Sequence, residues 1–224
     1  MELRVDSSKA LADSLDACVD ASSPFFNTLV RILATRCMMA AEYFCAGTRA
    51  APEFRHYGLA TPIYTHFTSP IRRYADLAVH RQLAAAIAYE PLHASLLSKA
   101  RLVGVCDNIN VRHRNAQLAG RASVEYYVGQ ALKGHVVVEE GFVMRVFSNG
   151  FVVFVPRFGV EGLIRLRDLG TPEPSGEYDA EKYELQVTGS RNLRLELFQK
   201  VKVRISDEVQ ESTGKRTIKM ELVG

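Results

Sequence analysis

Chemistry is concentrated in one stretch of this chain: Tyr64-Thr-His-Phe-Thr-Ser-Pro-Ile-Arg-Arg-Tyr-Ala-Asp-Leu-Ala-Val-His-Arg81. Ser69 is of the type that caps a helix, and Pro70 suits the first helical position, where its missing N–H is not needed. A helix beginning there would offer free backbone N–H groups and the positive end of its dipole to an anion. Arg72 and Arg73 follow within one turn, each a planar fork matched to phosphate oxygens. Helical spacing puts Arg72, Asp76 and His80 on one face, so Asp76 could hold an arginine in place. The chemistry is that of a phosphate site. The plainer alternative is a well-capped surface helix with an internal Arg–Asp pair.

The segment needs elements to position it. Upstream, Ser8–Leu15 allows a short helical turn within an irregular lead-in. Ser23-Pro24 then opens a helix whose apolar residues recur at three and four from Phe25 to Phe44, with Gly47 closing it. Its apolar face is expected in the core, with Cys37 and Cys45 as buried thiols. Thr48–Thr65 reads as a loop, in which His56 and Tyr57 either touch a nucleotide or pack as an ordinary loop. The second helix is expected from Pro70 to about Tyr89. The third runs from about His93 to Ala131, and Gly129 or Gly134 ends the helical half. Arg112, Arg114 and Arg121 do not fall on one narrow stripe of it and read mostly as solvent-facing.

From His135 the pattern changes to alternating valine and phenylalanine with glycine punctuation. Strands are expected at His135–Val138, Phe142–Phe147, Gly150–Val155, Val160–Arg167, Leu193–Leu197, Val201–Val209 and Arg216–Leu222. Thr171–Asn192 reads as an acidic insertion. The class is α+β: a helical part, residues 1–132, followed by an all-β part, residues 133–224.

The net charge of +3, from 28 basic and 25 acidic residues, does not by itself mark a nucleic-acid protein. Clustering is more telling, because Asp76 is the one acid between Phe54 and Arg81. The four cysteines form no C-x-x-C pair, which argues against zinc and suits a reducing compartment. No apolar run has membrane length, and no membrane partner is expected. Met1 stands before a sequence that already reads as mid-domain, so the natural protein is expected to extend upstream.

His56-Tyr-Gly-Leu-Ala60, the Tyr64–Tyr74 stretch, Asp76, His80 and Arg81 closely resemble the RNase II/RNase R superfamily, the RNB nucleases. Ser8–Asp16, Ala34–Ala41 and His113–Gln117 resemble its eukaryotic exosome branch, the Dis3 (Rrp44) proteins. Val143, Val146, Gly150 and Val160–Leu166 resemble an S1 RNA-binding domain, an OB-fold barrel. In that family aromatics flank the glycine and a histidine lies in the third strand. Here Asn149, Val152 and Arg165 hold those places, so most of the stacking platform is missing.

Phe147, Phe151 and Phe154 remain, some of them turned inward by alternation. Backbone contact through Arg145, Arg157, Arg165 and Arg167 is the expected mode, against a barrel that merely packs on the nuclease.

The resemblance implies a processive hydrolytic 3′-to-5′ exoribonuclease, the exosome catalytic subunit, releasing nucleoside 5′-monophosphates. Its partners would be single-stranded RNA 3′ ends and the exosome core ring, in nucleus, nucleolus and cytoplasm. Arg72 would grip the scissile phosphate. Arg73, Tyr74, His80 and Arg81 would shape the site, and Thr68 and Ser69 would add donors. The family's magnesium is held by closely spaced aspartates. No such run occurs in this sequence, so no metal site is expected here and the chain alone is expected to be inactive. The competing reading is a non-catalytic RNA-binding scaffold of helical bundle plus OB barrel.

Overall fold

The computed structural model describes residues 3–170, 174–189, 192–209 and 216–223. It divides into two units, Met1–Leu118 and Ala119–Gly224, and the division falls inside the longest helix.

In the first unit, α1 (Ser8–Asp16) starts where the Ser7 hydroxyl accepts the Ala10 N–H at 3.1 Å. Leu11 and Leu15, four residues apart, are buried with Cys18. Helix α2 (Phe26–Cys37) contributes Leu29, fully buried. The Asn27 side-chain amide donates to the Leu15 carbonyl at 2.7 Å and the Cys18 carbonyl at 3.0 Å. It thereby satisfies acceptors left over at the end of α1.

The helix expected to reach Phe44 stops at Cys37, and Met38 is extended. The physical reason lies in another element: the Asn110 side chain binds both the N–H and the carbonyl of Tyr43, each at 2.9 Å. A side-chain amide thus takes the backbone groups that a continued helix would use. The expected apolar face also fails as core. Leu29 is the one buried residue of α2, Met39 is 96% exposed, Cys37 is exposed and Cys45 half-buried.

Helices α3 (Tyr74–Ala86) and α4 (Lys99–Ala131) follow. A 3-10 turn, Ala94–Leu96, occupies the region where sequence periodicity starts the third helix. Gly129 lies within α4, and Gly134, at φ +71°, follows its end.

In the second unit, alternation predicts the strands well. β1 (Val137–Phe147), β2 (Gly150–Val155), β3 (Val160–Arg165), β7 (Lys200–Val209) and β8 (Arg216–Val223) form an antiparallel sheet ordered β3-β2-β1-β7-β8. The two strands expected at 135–147 are one. It continues through Gly141 and is irregular between Val143 and Arg145, where its pairing with β2 shifts.

The sheet curls into a nearly closed barrel. β3 and β8 meet so tightly that a Cβ at Gly162 would collide with the Met220 side chain. Val143, Phe151, Val153, Ile164, Val203 and Ile205 fill the interior.

The segment read as an acidic insertion contains β4 (Ser175–Asp179) and β5 (Glu184–Thr188). With β6 (Leu193–Glu196) they make a three-stranded sheet. Leu185, Val187 and Leu195 from it join the same core. Acidic composition hid this because Glu184, only 4% exposed, is held by the Arg194 guanidinium at 2.8 Å and the Gln186 amide at 2.9 Å. Thr171, Pro172, Glu173, Ser190 and Arg191 of that segment lie outside the described residues. Among the described residues no helix is long and apolar enough to cross a membrane.

Candidate nucleic-acid interface

The turn before α3 is built differently from a simple capped helix. The Ser69 carbonyl accepts the N–H groups of Arg72 at 3.2 Å and Arg73 at 3.0 Å, and Arg73 is extended (φ −125°, ψ 114°). The helix therefore starts at Tyr74, four residues later than Pro70. Asp76, in its first turn, reaches back. One of its oxygens accepts the Ser69 N–H at 2.6 Å and the Arg73 guanidinium at 2.9 and 3.2 Å.

The anion at this helix N-terminus is thus the chain's own carboxylate. The arginine it holds is Arg73, not Arg72; both precede the helix, so the common face expected for Arg72, Asp76 and His80 does not exist. Ser69 contributes its amide rather than a capping hydroxyl.

Asp76 is wholly buried, and its other oxygen has no partner among the described residues. Burial acts to raise its pKa. The Arg73 guanidinium and the Ser69 amide outweigh that, with help from the nearby His66, and hold the carboxyl below its ordinary 3.8.

Arg72, exposed, points into an open groove of about 570 Å³ together with Arg73 and Tyr74. Tyr43, Val105, Asn108, Ile109, Arg112 and His113 complete the lining. Arg112 is the residue that sequence reasoning missed. Val105, Asn108 and Arg112, three and four apart, share one face of α4 and all line the groove. Among the described residues neither Arg72 nor Arg112 meets a carboxylate.

Tyr43 is placed by the Asn110 clamp and by a short hydrogen bond between its hydroxyl and His66 Nδ1. Burial first, then the charge on Arg73, depresses the His66 pKa. Burial raises that of Tyr43.

The other candidates from the sequence are distributed around this groove rather than in it. Thr68 Oγ1 accepts from Arg73 at 3.4 Å. His80 Nε2 bonds the Phe67 carbonyl at 2.7 Å, with the two rings 4.4 Å apart. His56 Nδ1 accepts the Leu59 N–H, and its ring packs edgewise on Tyr64 at 5.3 Å. The Tyr57 hydroxyl donates to the Val5 carbonyl. Arg81 lines a separate small cavity.

In the second unit Arg145 faces Glu161 at 4.0 Å and lies 6.0 Å from the Phe147 ring. The Arg165 side chain is exposed, while its backbone N–H is held by Asp168 at 3.2 Å. Phe151 is fully buried, Phe154 half-buried and Phe147 38% exposed. Of the three, only Phe147 offers much of its ring to a base.

A family model described as the RNB domain matches residues 1–89, and one described as an S1 domain matches residues 137–220. The chain is 56% identical over 229 residues to the exosome complex exonuclease dis3 of Schizosaccharomyces pombe, covering 100% of this chain and 24% of that protein. It is 45% identical over 206 residues to the human exosome complex exonuclease RRP44, covering 92% and 21%.

This chain belongs to the RNB family, in its exosome Dis3/Rrp44 branch. It spans about a quarter of the length of the curated relatives it matches. The RNB fold is shared with Mycoplasma genitalium RNase R in complex with ribose methylated single-stranded RNA (TM-score 0.73, 22% identity, 99% of this chain and 33% of that one). It is shared equally with yeast Ssd1, a pseudonuclease (TM-score 0.74, 18% identity, 98% and 38%). At those identities the likeness concerns the fold, and fold alone does not decide activity.

Magnesium, implied for the RNB nucleases, takes several oxygen ligands. Among the described residues there is no group of three or more His, Cys, Asp or Glu placed to hold a metal. Asp76, beside the groove, already serves three N–H donors. These residues do not fit a magnesium site.

Proposed function

We propose that this chain supplies the phosphate-gripping part of a hydrolytic 3′-to-5′ exoribonuclease, the catalytic subunit of the exosome, which releases nucleoside 5′-monophosphates. The observation that carries this reading is the groove itself. Arg72 and Arg112 converge there without carboxylate partners, while Arg73 is locked by Asp76. An unpaired arginine fork in a groove suits a phosphodiester, and Arg72 takes the charge that develops on the scissile phosphate. Tyr43 and Tyr74 offer faces for the sugar or base.

The barrel adds weaker contacts to the strand through Arg165, while Arg145 is turned to Glu161. The carboxylates that hold magnesium in the RNB nucleases would come from outside these residues. The substrate is the 3′ end of single-stranded RNA, the protein partner is the exosome core ring, and the sites of action are nucleus, nucleolus and cytoplasm.

Arg72→Lys in the complete protein tests the reading, because lysine keeps the charge and loses the fork. Single-turnover cleavage is expected to fall about a hundredfold, the loss typical of one charge-stabilising donor. RNA binding without metal should hold, and Arg55→Lys should be neutral. Wild-type cleavage by Arg72→Lys, or a loss wholly explained by weaker binding, would remove Arg72 from the reaction. The 224-residue chain itself is expected to bind 5′-labelled RNA and leave its length unchanged in magnesium.

A non-catalytic RNA-binding scaffold is the second reading. It is favoured by the absence of a carboxylate cluster among the described residues. Full activity of the complete protein with Arg72 replaced would support it.

A further inference from the structure

Behind Tyr74 lies a second, smaller cavity of about 70 Å³, lined by Tyr74, Arg81, Ser95, Leu96, Arg101 and Val105 among others. Tyr74 and Val105 also line the groove, so the two spaces share a wall. Arg81 is half-buried, and its guanidinium makes one long bond, 3.5 Å, to Ser95 Oγ. That hydroxyl is itself engaged by His93 Nδ1 at 2.7 Å. Among the described residues neither Arg81 nor Arg101 meets a carboxylate.

A guanidinium has five N–H donors. Here one long contact to a neutral oxygen leaves the other donors available to an anion in the cavity. The space holds about five waters, which is room for a tetrahedral oxyanion.

We propose that this cavity is a second phosphate site, taking the phosphodiester next to the one held in the groove, with Tyr74 between the two. Arg81 and Arg101 grip the oxyanion from two elements, α3 and α4, and the Ser95 oxygen orients Arg81. That one strand fills both spaces rests on the groove reading above, and the experiment separates the two claims.

The full 224-residue chain is titrated with uridine 5′-monophosphate, with the 5′-phosphorylated dinucleotide pUpU and with inorganic phosphate, following the arginine Nε resonances. pUpU is expected to bind at least about tenfold tighter than the mononucleotide, because the second phosphate is tethered to the first. It should shift Arg81 and Arg101. Arg81→Gln should abolish that gain and leave mononucleotide binding intact. Arg101 is exposed, so Arg101→Gln repeats the test without threatening the fold.

Loss of mononucleotide binding in Arg72→Gln supports the groove. Its retention, with the pUpU gain still dependent on Arg81, sinks the groove reading and leaves the cavity standing. The proposal fails if pUpU gains nothing, or if the gain survives both Arg81→Gln and Arg101→Gln. Saturable shifts at Arg81 and Arg101 with inorganic phosphate but not with pUpU also overturn it, leaving a free-anion site.

Discussion

On the barrel unit, Arg145, Arg157, Arg194, Arg204 and Arg216 each face a carboxylate, from Glu161, Glu139, Glu184, Glu221 and Asp207 respectively. In the groove, Arg72 and Arg112 face none among the described residues, and Arg73 alone is paired. The chain's modest net charge conceals this contrast. Exposed ion pairs add little to stability, but they occupy donors that a phosphate would otherwise meet. On the proposed reading, what matters for binding RNA is where arginine is left unmatched: the groove and the cavity beside it and, on the barrel, Arg165.

The largest expected break of this contrast comes from Asp76→Asn. Asparagine can still accept the Ser69 N–H, but it no longer neutralises Arg73, so a paired arginine becomes a free one. In the complete protein, single-turnover cleavage should fall about tenfold to a hundredfold as the Arg72 turn loosens. RNA binding should become more salt-dependent, its slope steepening by about one. An unchanged slope and rate would mean that pairing does not distinguish Arg73 from its neighbours.

The carboxyl's low pKa gives the same contact an acid limit. Its contribution is complete above the ordinary value of 3.8 and is lost as pH falls through the lower value of the folded state.

A smaller effect compares the two units directly. Arg112→Ala should weaken RNA binding by the 224-residue chain about fivefold and flatten the salt slope by about one. Arg165→Ala, which removes an exposed barrel arginine without a carboxylate partner, should weaken it about twofold. Arg145→Ala, with Glu161 opposite, should leave it within error. Filter binding of a homopolymer at two salt concentrations ranks the three. A larger loss from Arg145 than from Arg112 would reverse the argument.

The smallest effect is a pH dependence at His66. Its pKa is depressed below 6.5, so the folded state resists protonation. The associated stability is present above 6.5 and drains away as pH falls below it. Between pH 7.5 and 5.5 the melting temperature of the helical unit should fall by about 1–2 °C, a small shift because water screens a partly exposed group. His66→Gln should flatten that dependence, and a steeper one would place the titration elsewhere.

How much of this was legible depended on the range of the interactions. Gly150–Val155 reads as a strand because a short run of valine and phenylalanine opened by glycine is a local signal, and all of it but Phe154 is buried. The start of α3 did not, because the carboxylate that organises it sits seven residues beyond Ser69. Local capping preference at Ser69-Pro70 pointed to a start that a longer-range contact moved. The end of α2 was hidden for the same reason, since Asn110 lies 67 residues from Tyr43. Arg72 could be picked out from the chemistry of its neighbours. Arg112 could not, because its importance depends on which element stands across from it, and that is a fact of tertiary structure.

The Asn110 clamp also sets how this groove would age. A primary amide is donor and acceptor at once, which is why one side chain can hold both the N–H and the carbonyl of Tyr43. Hydrolysis of that amide to a carboxylate would keep the acceptor and erase the donor, setting an oxygen anion against the Tyr43 carbonyl. The residues carrying positive charge would be untouched, yet the aromatic wall they work beside would lose its anchor. Slow chemistry at a position that touches no ligand would thus be felt first as a loss of shape.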